Sequence, residues 1–148
     1  MTTAKLVTVQ AAYDDFLTRS LAKLPCDLAR LIYLASTRDY NTGMYHHEGL
    51  ASRFNPEVAA QAIELAHRQI FLRLSAYSLE ELVEQLRIYF QSSREGAAEI
   101  LRMWQKLEPY RIAIPVEVNP AVARLLLSNV RLALAIWRSR QEQSPADR

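Results

Sequence analysis

The sequence predicts an all-α fold, a single-domain bundle of about six helices with one long polar loop and one proline-containing extended strap. Only three glycines occur in 148 residues, and apolar residues recur every three to four positions, the spacing of one helix face. A chain of this length buries roughly 68–70% of the surface that its unfolded form exposes, enough for its own core. We assign residues 1–140 to one helical domain and residues 141–148, which are polar, to a disordered tail.

The first half of the chain contains three predicted helices. Residues 7–23 form the first, and Pro25 opens a second, which we expect to pair with the first as a hairpin. The polar loop follows. Asn55-Pro56 then starts a third helix that extends to about residue 76, because the asparagine side chain accepts from unpaired amides and proline loses no hydrogen bond at the first helical position.

Two capping boxes, Ser78–Glu81 and Ser92–Glu95, start the fourth and fifth helices, because serine and glutamate satisfy each other's backbone amides in this motif. Residues 109–119 contain two prolines and several β-branched residues, and they predict the extended strap. Asn119-Pro120 repeats the start signal. The last helix, apolar around most of its circumference, is predicted to end near Arg140.

Composition excludes several classes of protein. Cys26 is the only cysteine, so an internal disulfide and cysteine-based zinc or iron–sulfur sites are excluded. The N-terminus lacks the features of a secretory signal, and the longest apolar run, residues 132–137, is far shorter than the ~20 residues that span a bilayer. A net charge of +2 is too balanced for a typical nucleic-acid binder. We therefore expect a soluble cytoplasmic protein without nucleic-acid or membrane partners.

The polar loop, residues 38–49, is the predicted functional surface. It holds two of the chain's three histidines and two of its three glycines between helical segments. Long loops in compact domains are often functional, and aromatic residues and arginine are favoured at binding hot spots. The predicted binding residues are Arg38, Asp39, Tyr40, Asn41, Tyr45, His46 and His47. Arg53, just beyond the loop, is a further candidate.

Metal binding is the alternative for the same loop. Imidazole suits zinc, iron, nickel and copper, and a loop can turn His46 and His47 toward one ion. His67 and Glu64, which share a helix face, are the other candidate ligands. A di-metal carboxylate site would need a second Glu-x-x-His pair, which the sequence lacks, so the alternative is a mononuclear transition-metal site. In the structural interpretation, the histidines hydrogen-bond helix ends and loop carbonyls while Tyr45 packs on the core.

Other chemistries have weaker support. A calcium loop that begins at Asp39 would place Met44 where a glycine is needed and Leu50 where a glutamate is needed, so we expect a structured turn with Gly43 in the left-handed conformation. The sequence contains no nucleophile motif, Walker loop or GxGxxG turn. His46 as a general base oriented by Asp39 is the remaining acid–base arrangement, and a non-enzymatic protein is the favoured interpretation.

The last helix has a basic seam. Arg124, Arg131 and Arg138 recur every seven residues on an otherwise apolar helix. The seam would suit acidic side chains of a partner, but it is more typical of the solvated edge of a core helix. The apolar surface of this helix would also allow a homodimer.

The segment before and within the loop has a distinctive order of residues. It contains the run Leu31–Ser36, then Arg38-Asp39, Asn41-Thr42-Gly43, Tyr45-His46-His47 and Gly49-Leu50. This pattern, RDxNTGxYHHxGL in outline, resembles a stretch found in small uncharacterised bacterial α-helical proteins. The resemblance covers about 20 residues. It implies a bacterial source and no activity.

Together these observations favour a non-enzymatic cytoplasmic interaction or regulatory protein that binds an unidentified protein partner through residues 38–49 and needs no cofactor. The alternative is a metal-dependent enzyme with a mononuclear site built on His46 and His47. A third hypothesis is a pH-responsive loop, because neighbouring imidazoles resist double protonation.

Overall fold

The computed structural model describes residues 2–39, 41–92 and 118–143. Within these ranges the chain contains helices and no β-strand, and its one extended pairing is an isolated antiparallel bridge between Arg38 and Tyr45. The helices are α1 (Thr2–Arg19), α2 (Asp27–Ser36), α3 (Glu48–Ala51), α4 (Pro56–Ser75), α5 (Leu79–Ser92) and α6 (Pro120–Gln143). A 3-10 turn, Leu21–Lys23, follows α1. The predicted all-α class is confirmed.

The predicted start signals act as helix caps. The Asn55 side chain accepts a hydrogen bond from the Glu57 amide at 2.9 Å. The Ser78 amide donates to the Glu81 carboxylate at 2.8 Å, and the Glu81 amide donates to the Ser78 hydroxyl at 3.1 Å. Asn119 accepts from the amide two residues further on at 2.8 Å. Three helix starts are therefore confirmed at the predicted positions.

Several boundaries differ from the prediction. The first helix ends at Arg19 and continues as the 3-10 turn, and α3 occupies the last two residues of the predicted loop. The last helix continues to Gln143, so the first three residues of the predicted tail are helical. Ser92, where the fifth helix was predicted to start, is the last residue of α5. The rest of the predicted fifth helix, almost all of the strap and residues 144–148 lie outside the described residues.

Helix α4 is the centre of the described fold. It packs against α1, α2, α3 and α6, whereas α1 and α2 contact α4 far more than each other, so the predicted α1–α2 hairpin is wrong. Helix α4 contributes to one core of buried side chains, whose large members with almost no solvent exposure include Phe16, Leu28, Leu31, Leu34, Ile63, Phe71, Leu74, Leu82 and Leu86. Fully burying one such side chain contributes about 1.5–3 kcal/mol. This core holds α4 in a fixed position beside the loop.

A buried carboxylate connects α2 to α4. Asp27 accepts a bidentate pair of hydrogen bonds from Arg73 at 2.9 and 3.0 Å, one from Arg30 at 2.8 Å and one from the Tyr77 hydroxyl at 2.7 Å. Burial alone would raise the pKa of Asp27, but the hydrogen bonds from Arg73, Tyr77 and Arg30 outweigh it, and the pKa is lowered. The carboxylate therefore stays ionised inside the fold.

Helix α6 is long and apolar enough, by length and composition, to cross a membrane. Its buried side packs against α5 and α4, and Trp137 stacks on Phe90 with 4.0 Å between ring centroids. The core helix of a soluble protein passes the same test of length and composition. Arg124 and Arg131 lie within the helix, and an arginine at the centre of a bilayer costs about 2.5–3.5 kcal/mol. The packing and the arginines favour a helix of the bundle.

Candidate functional site

The first part of the loop is a tight turn built around Asp39. Its carboxylate accepts hydrogen bonds from the amides of Asn41 and Thr42, both at 2.8 Å, and these bonds lower the pKa of Asp39. The Gly43 amide donates to the Asp39 carbonyl at 2.9 Å, and Gly43 has a φ of 73°. The structured turn predicted from Asp39 and Gly43 is therefore present. Tyr40, a predicted contact, lies outside the described residues.

The Arg38 side chain stabilises this turn by contacts within the loop. Its Nε donates to the Gly43 carbonyl at 3.0 Å, and its guanidinium carbon lies 5.5 Å from the centroid of the Tyr45 ring. The His46 amide donates to the Thr37 carbonyl at 2.8 Å, which closes the loop at its base. A cation over an aromatic face is stabilising. Arg38 thus has a role inside the loop, whereas the sequence predicted a contact for a partner.

Tyr45 anchors the loop to α4. Its side chain is only 6% exposed, and its hydroxyl lies 2.6 Å from Nδ1 of His67, which is fully buried. Burial raises the pKa of Tyr45 to about 12, with Glu64 acting in the same direction and Arg38 in the opposite direction. The phenol is neutral at ordinary pH. Tyr45 packs in the core, as the structural interpretation expected, and its ring is not a surface contact.

His47 caps α3. Its Nδ1 accepts from the Leu50 amide at 3.1 Å, so a neutral ring carries its proton on Nε2, which lies 2.6 Å from the Tyr33 hydroxyl. The ring also packs edge-on against Phe16, with 5.1 Å between centroids. Burial lowers the pKa of His47, and Arg53 and His46 act in the same direction. Both ring nitrogens have structural partners.

The described loop residues that remain exposed are Asp39, Asn41, Thr42, Met44, His46 and Glu48. Met44, which the sequence did not indicate as a contact, is 58% exposed. Arg53 forms an ion pair with Asp15 of α1, and its Nε and Nη2 both donate to one carboxylate oxygen, at 3.0 and 2.6 Å. The exposed part of the loop is therefore smaller than the predicted surface.

A cleft separates the exposed loop from α4. Its volume is about 330 Å³, at the lower end of the roughly 300–1,000 Å³ of ligand pockets. The described residues that line it are Gly43, Met44 and Tyr45 from the loop and Glu57, Ala60, Gln61 and Glu64 from α4. The helix residues follow i, i+3, i+4 and i+7 spacing, which places them on one face. That spacing is visible in the sequence, but which face meets the loop is not.

The candidate metal ligands do not form a ligand group. Across residues 2–39, 41–92 and 118–143, no three histidine, cysteine, aspartate or glutamate side chains come together to hold an ion. His47 caps a helix, His67 contacts Tyr45, His46 is exposed, and Glu64 lines the cleft. The metal alternative has no geometric support in this part of the chain.

Comparison of the chain with models of known protein families, with curated proteins and with solved structures gave no match. The geometry of the loop and the cleft is therefore the basis for a functional conclusion.

Proposed function

We propose that the protein is a non-enzymatic interaction protein of the cytoplasm, and that the cleft between the loop and α4 binds a segment of a partner protein. The observation that carries this proposal is the cleft itself, which has an ordered loop on one side and a helix face on the other. Met44 lies at its edge with more than half of its side chain exposed. Flexible, polarizable methionine is favoured at surfaces that bind peptides.

The loop supports binding because it is held in place before any partner arrives. The Asp39 turn, the Arg38 contacts and the Tyr45 anchor fix the same short segment by independent contacts. A preorganised surface loses less conformational entropy on binding. The described lining residues contain no nucleophile beside a base, which favours binding over catalysis.

A selection of phage-displayed peptides against the purified protein tests the proposal. Selected peptides should bind the wild type and lose at least about tenfold in affinity, or 1.4 kcal/mol, for the variant Met44→Ala/Gln61→Ala. Leu72→Ala is the matched control, because it also removes an exposed apolar side chain but lies on α4 outside the lining. Failure to enrich peptides, or equal binding by the Met44→Ala/Gln61→Ala variant, would contradict the proposal.

The homodimer expected from the apolar last helix stays a prediction. Leu125 and Leu132 lie two turns apart on α6 and are 59% and 50% exposed. Light scattering of the wild type and of Leu125→Gln/Leu132→Gln tests it: a dimer that becomes a monomer in the variant supports it, and a monomeric wild type contradicts it.

A further inference from the structure

The cleft carries negative charge on its helix side. Glu57 and Glu64 both line it, with Gln61 between them. Across the described residues, neither glutamate side chain has a hydrogen bond or an ion pair. No arginine or lysine belongs to the described lining. The described lining therefore has a formal charge of −2, although the whole chain has a charge of +2.

Two arginines lie near the cleft but outside its described lining. Arg38 and Arg68 both act to lower the pKa of Tyr45, so both are within electrostatic reach of its ring. Arg38 donates to the Gly43 carbonyl, and its guanidinium lies over the Tyr45 ring. Neither arginine is among the lining residues. The two carboxylates are therefore the charged groups of the described lining, and the Arg38 guanidinium lies on the loop side of the cleft, beside Gly43 and Tyr45.

The spacing of the glutamates does not favour a compact metal ion as their shared ligand. Residues seven apart on a helix are separated by about 10.5 Å along its axis. Two oxygens on one calcium ion, at 2.3–2.6 Å each, lie within about 5 Å of each other. An extended side chain with a cationic end can instead contact one carboxylate and be attracted by the other.

The apolar residues of the cleft suit the rest of such a side chain. Met44 and Ala60 line it together with Tyr45, which is buried. Lysine and arginine pack their methylene stems on apolar surface while their charged ends stay near polar groups. The cleft combines an apolar wall with two carboxylates at one helix face, which is the arrangement that such an amphipathic side chain requires.

From this charge complementarity we infer that the cleft holds a lysine or arginine side chain of the partner segment, with its cationic end at one of the two carboxylates of Glu57 and Glu64, attracted by the other, and its stem against Met44 and Ala60. This inference rests on the proposed function, because it names the chemistry of the partner at the same site.

Four short peptides test the inference by amide NMR of the ¹⁵N-labelled full chain. The probe is acetyl-Ala-Lys-Ala-amide, compared with the same peptide carrying arginine, norleucine or glutamate in the middle. The lysine or the arginine peptide should cause saturable shifts at Tyr45, Gln61 and Glu64, and the norleucine and glutamate peptides should not. Norleucine keeps the stem without the charge, so equal shifts with the norleucine peptide overturn the inference.

A pair of charge-matched variants links the effect to the cleft. Glu57→Gln/Glu64→Gln should weaken binding of the basic peptide at least about tenfold. Glu84→Gln/Glu142→Gln removes the same charge at exposed positions outside the described lining and should leave affinity unchanged. Circular dichroism of both variants checks the fold, because Glu57 lies in the first turn of α4. Equal weakening by both variants would mean a general charge effect and would overturn the inference.

The outcomes for the two proposals can be distinguished. Selected peptides that require Met44 but contain no basic residue would leave the proposed function in place and overturn the cationic side chain. In the opposite case, no peptide is enriched in the selection, but the basic tripeptide binds and its binding depends on Glu57 and Glu64. This result would support the cationic site and contradict the proposed function.

Discussion

The hydroxyl of Tyr45 lies 2.6 Å from Nδ1 of His67, and the two rings meet edge-on with 5.5 Å between their centroids. Both side chains are buried, so this contact fastens the exposed loop to the middle of the central helix. His67 thereby has a structural explanation that does not need a metal. The same contact fixes one wall of the cleft, because Tyr45 is a lining residue.

Tyr45→Phe should lower the free energy of unfolding by about 1–3 kcal/mol, because it removes a hydrogen bond from a buried imidazole while the aromatic ring stays in place. Urea unfolding measures this loss, and amide exchange of residues 41–46 should become faster. Tyr13→Phe is the matched control. The Tyr13 hydroxyl bonds to Gln69 near the surface, where the net contribution is about 0.5–1.5 kcal/mol. Unchanged amide exchange of residues 41–46 in Tyr45→Phe would contradict the anchoring role of Tyr45.

Asp27→Asn should lower the free energy of unfolding by about 3 kcal/mol. Removing one member of a buried ion pair costs about 3–5 kcal/mol, and the lower end applies because the side chain of Arg73 is 54% exposed and stays partly solvated. Thermal or urea unfolding measures the change. Asp14→Asn removes an exposed carboxylate and should change stability by less than about 0.5 kcal/mol. Equal effects of the two substitutions would argue against the buried cluster.

The parts of the fold that the sequence predicted are those that depend on neighbouring residues. The Ser78–Glu81 box is complete within four residues, and Asn55 caps an amide two positions away. Their hydrogen bonds form whatever the helix packs against. The starts of α4, α5 and α6 could therefore be predicted from short stretches of sequence.

The site depends on contacts between distant residues, which periodicity does not encode. Tyr45 meets a histidine 22 positions away, and Asp27 meets Arg73 and Tyr77 at separations of 46 and 50. The sequence indicated that Tyr45 and the histidines matter, but it left open whether they face solvent or the core. The cleft could not be predicted, because it exists only once the loop lies against one face of α4.

The stability of the protein should fall as the pH decreases below about 6.5, partly through His47. Burial lowers the pKa of His47 below its ordinary value of 6.5, so the unfolded chain binds a proton at pH values where the folded chain does not. This contribution is complete above pH 6.5 and is lost as the pH falls through the folded-state pKa. Urea unfolding between about pH 7.5 and pH 5 measures the slope.

Two substitutions assign this slope to the half-buried ring of His47. His47→Asn keeps a side chain that caps helices but does not titrate, so the free energy of unfolding should depend less on pH than in the wild type. His46→Asn removes an exposed histidine that contributes to the lowered pKa of His47, so its slope should lie between those of the wild type and His47→Asn. The assignment fails if His47→Asn and the wild type have the same slope.

Gly43→Ala should lower the free energy of unfolding by about 1–2 kcal/mol, because the backbone at this position has a φ of 73°, a conformation that costs a side chain with a Cβ atom about this much. Gly43→Asn should cost less, since asparagine adopts left-handed backbone more readily. Urea unfolding compares the two variants. A Cβ atom at Gly43 would lie 3.4 Å from the end of the Arg38 side chain, so steric crowding is the competing cause. If steric crowding dominates, Gly43→Asn should be at least as destabilising as Gly43→Ala. If backbone strain dominates, Gly43→Asn should be the less destabilising of the two.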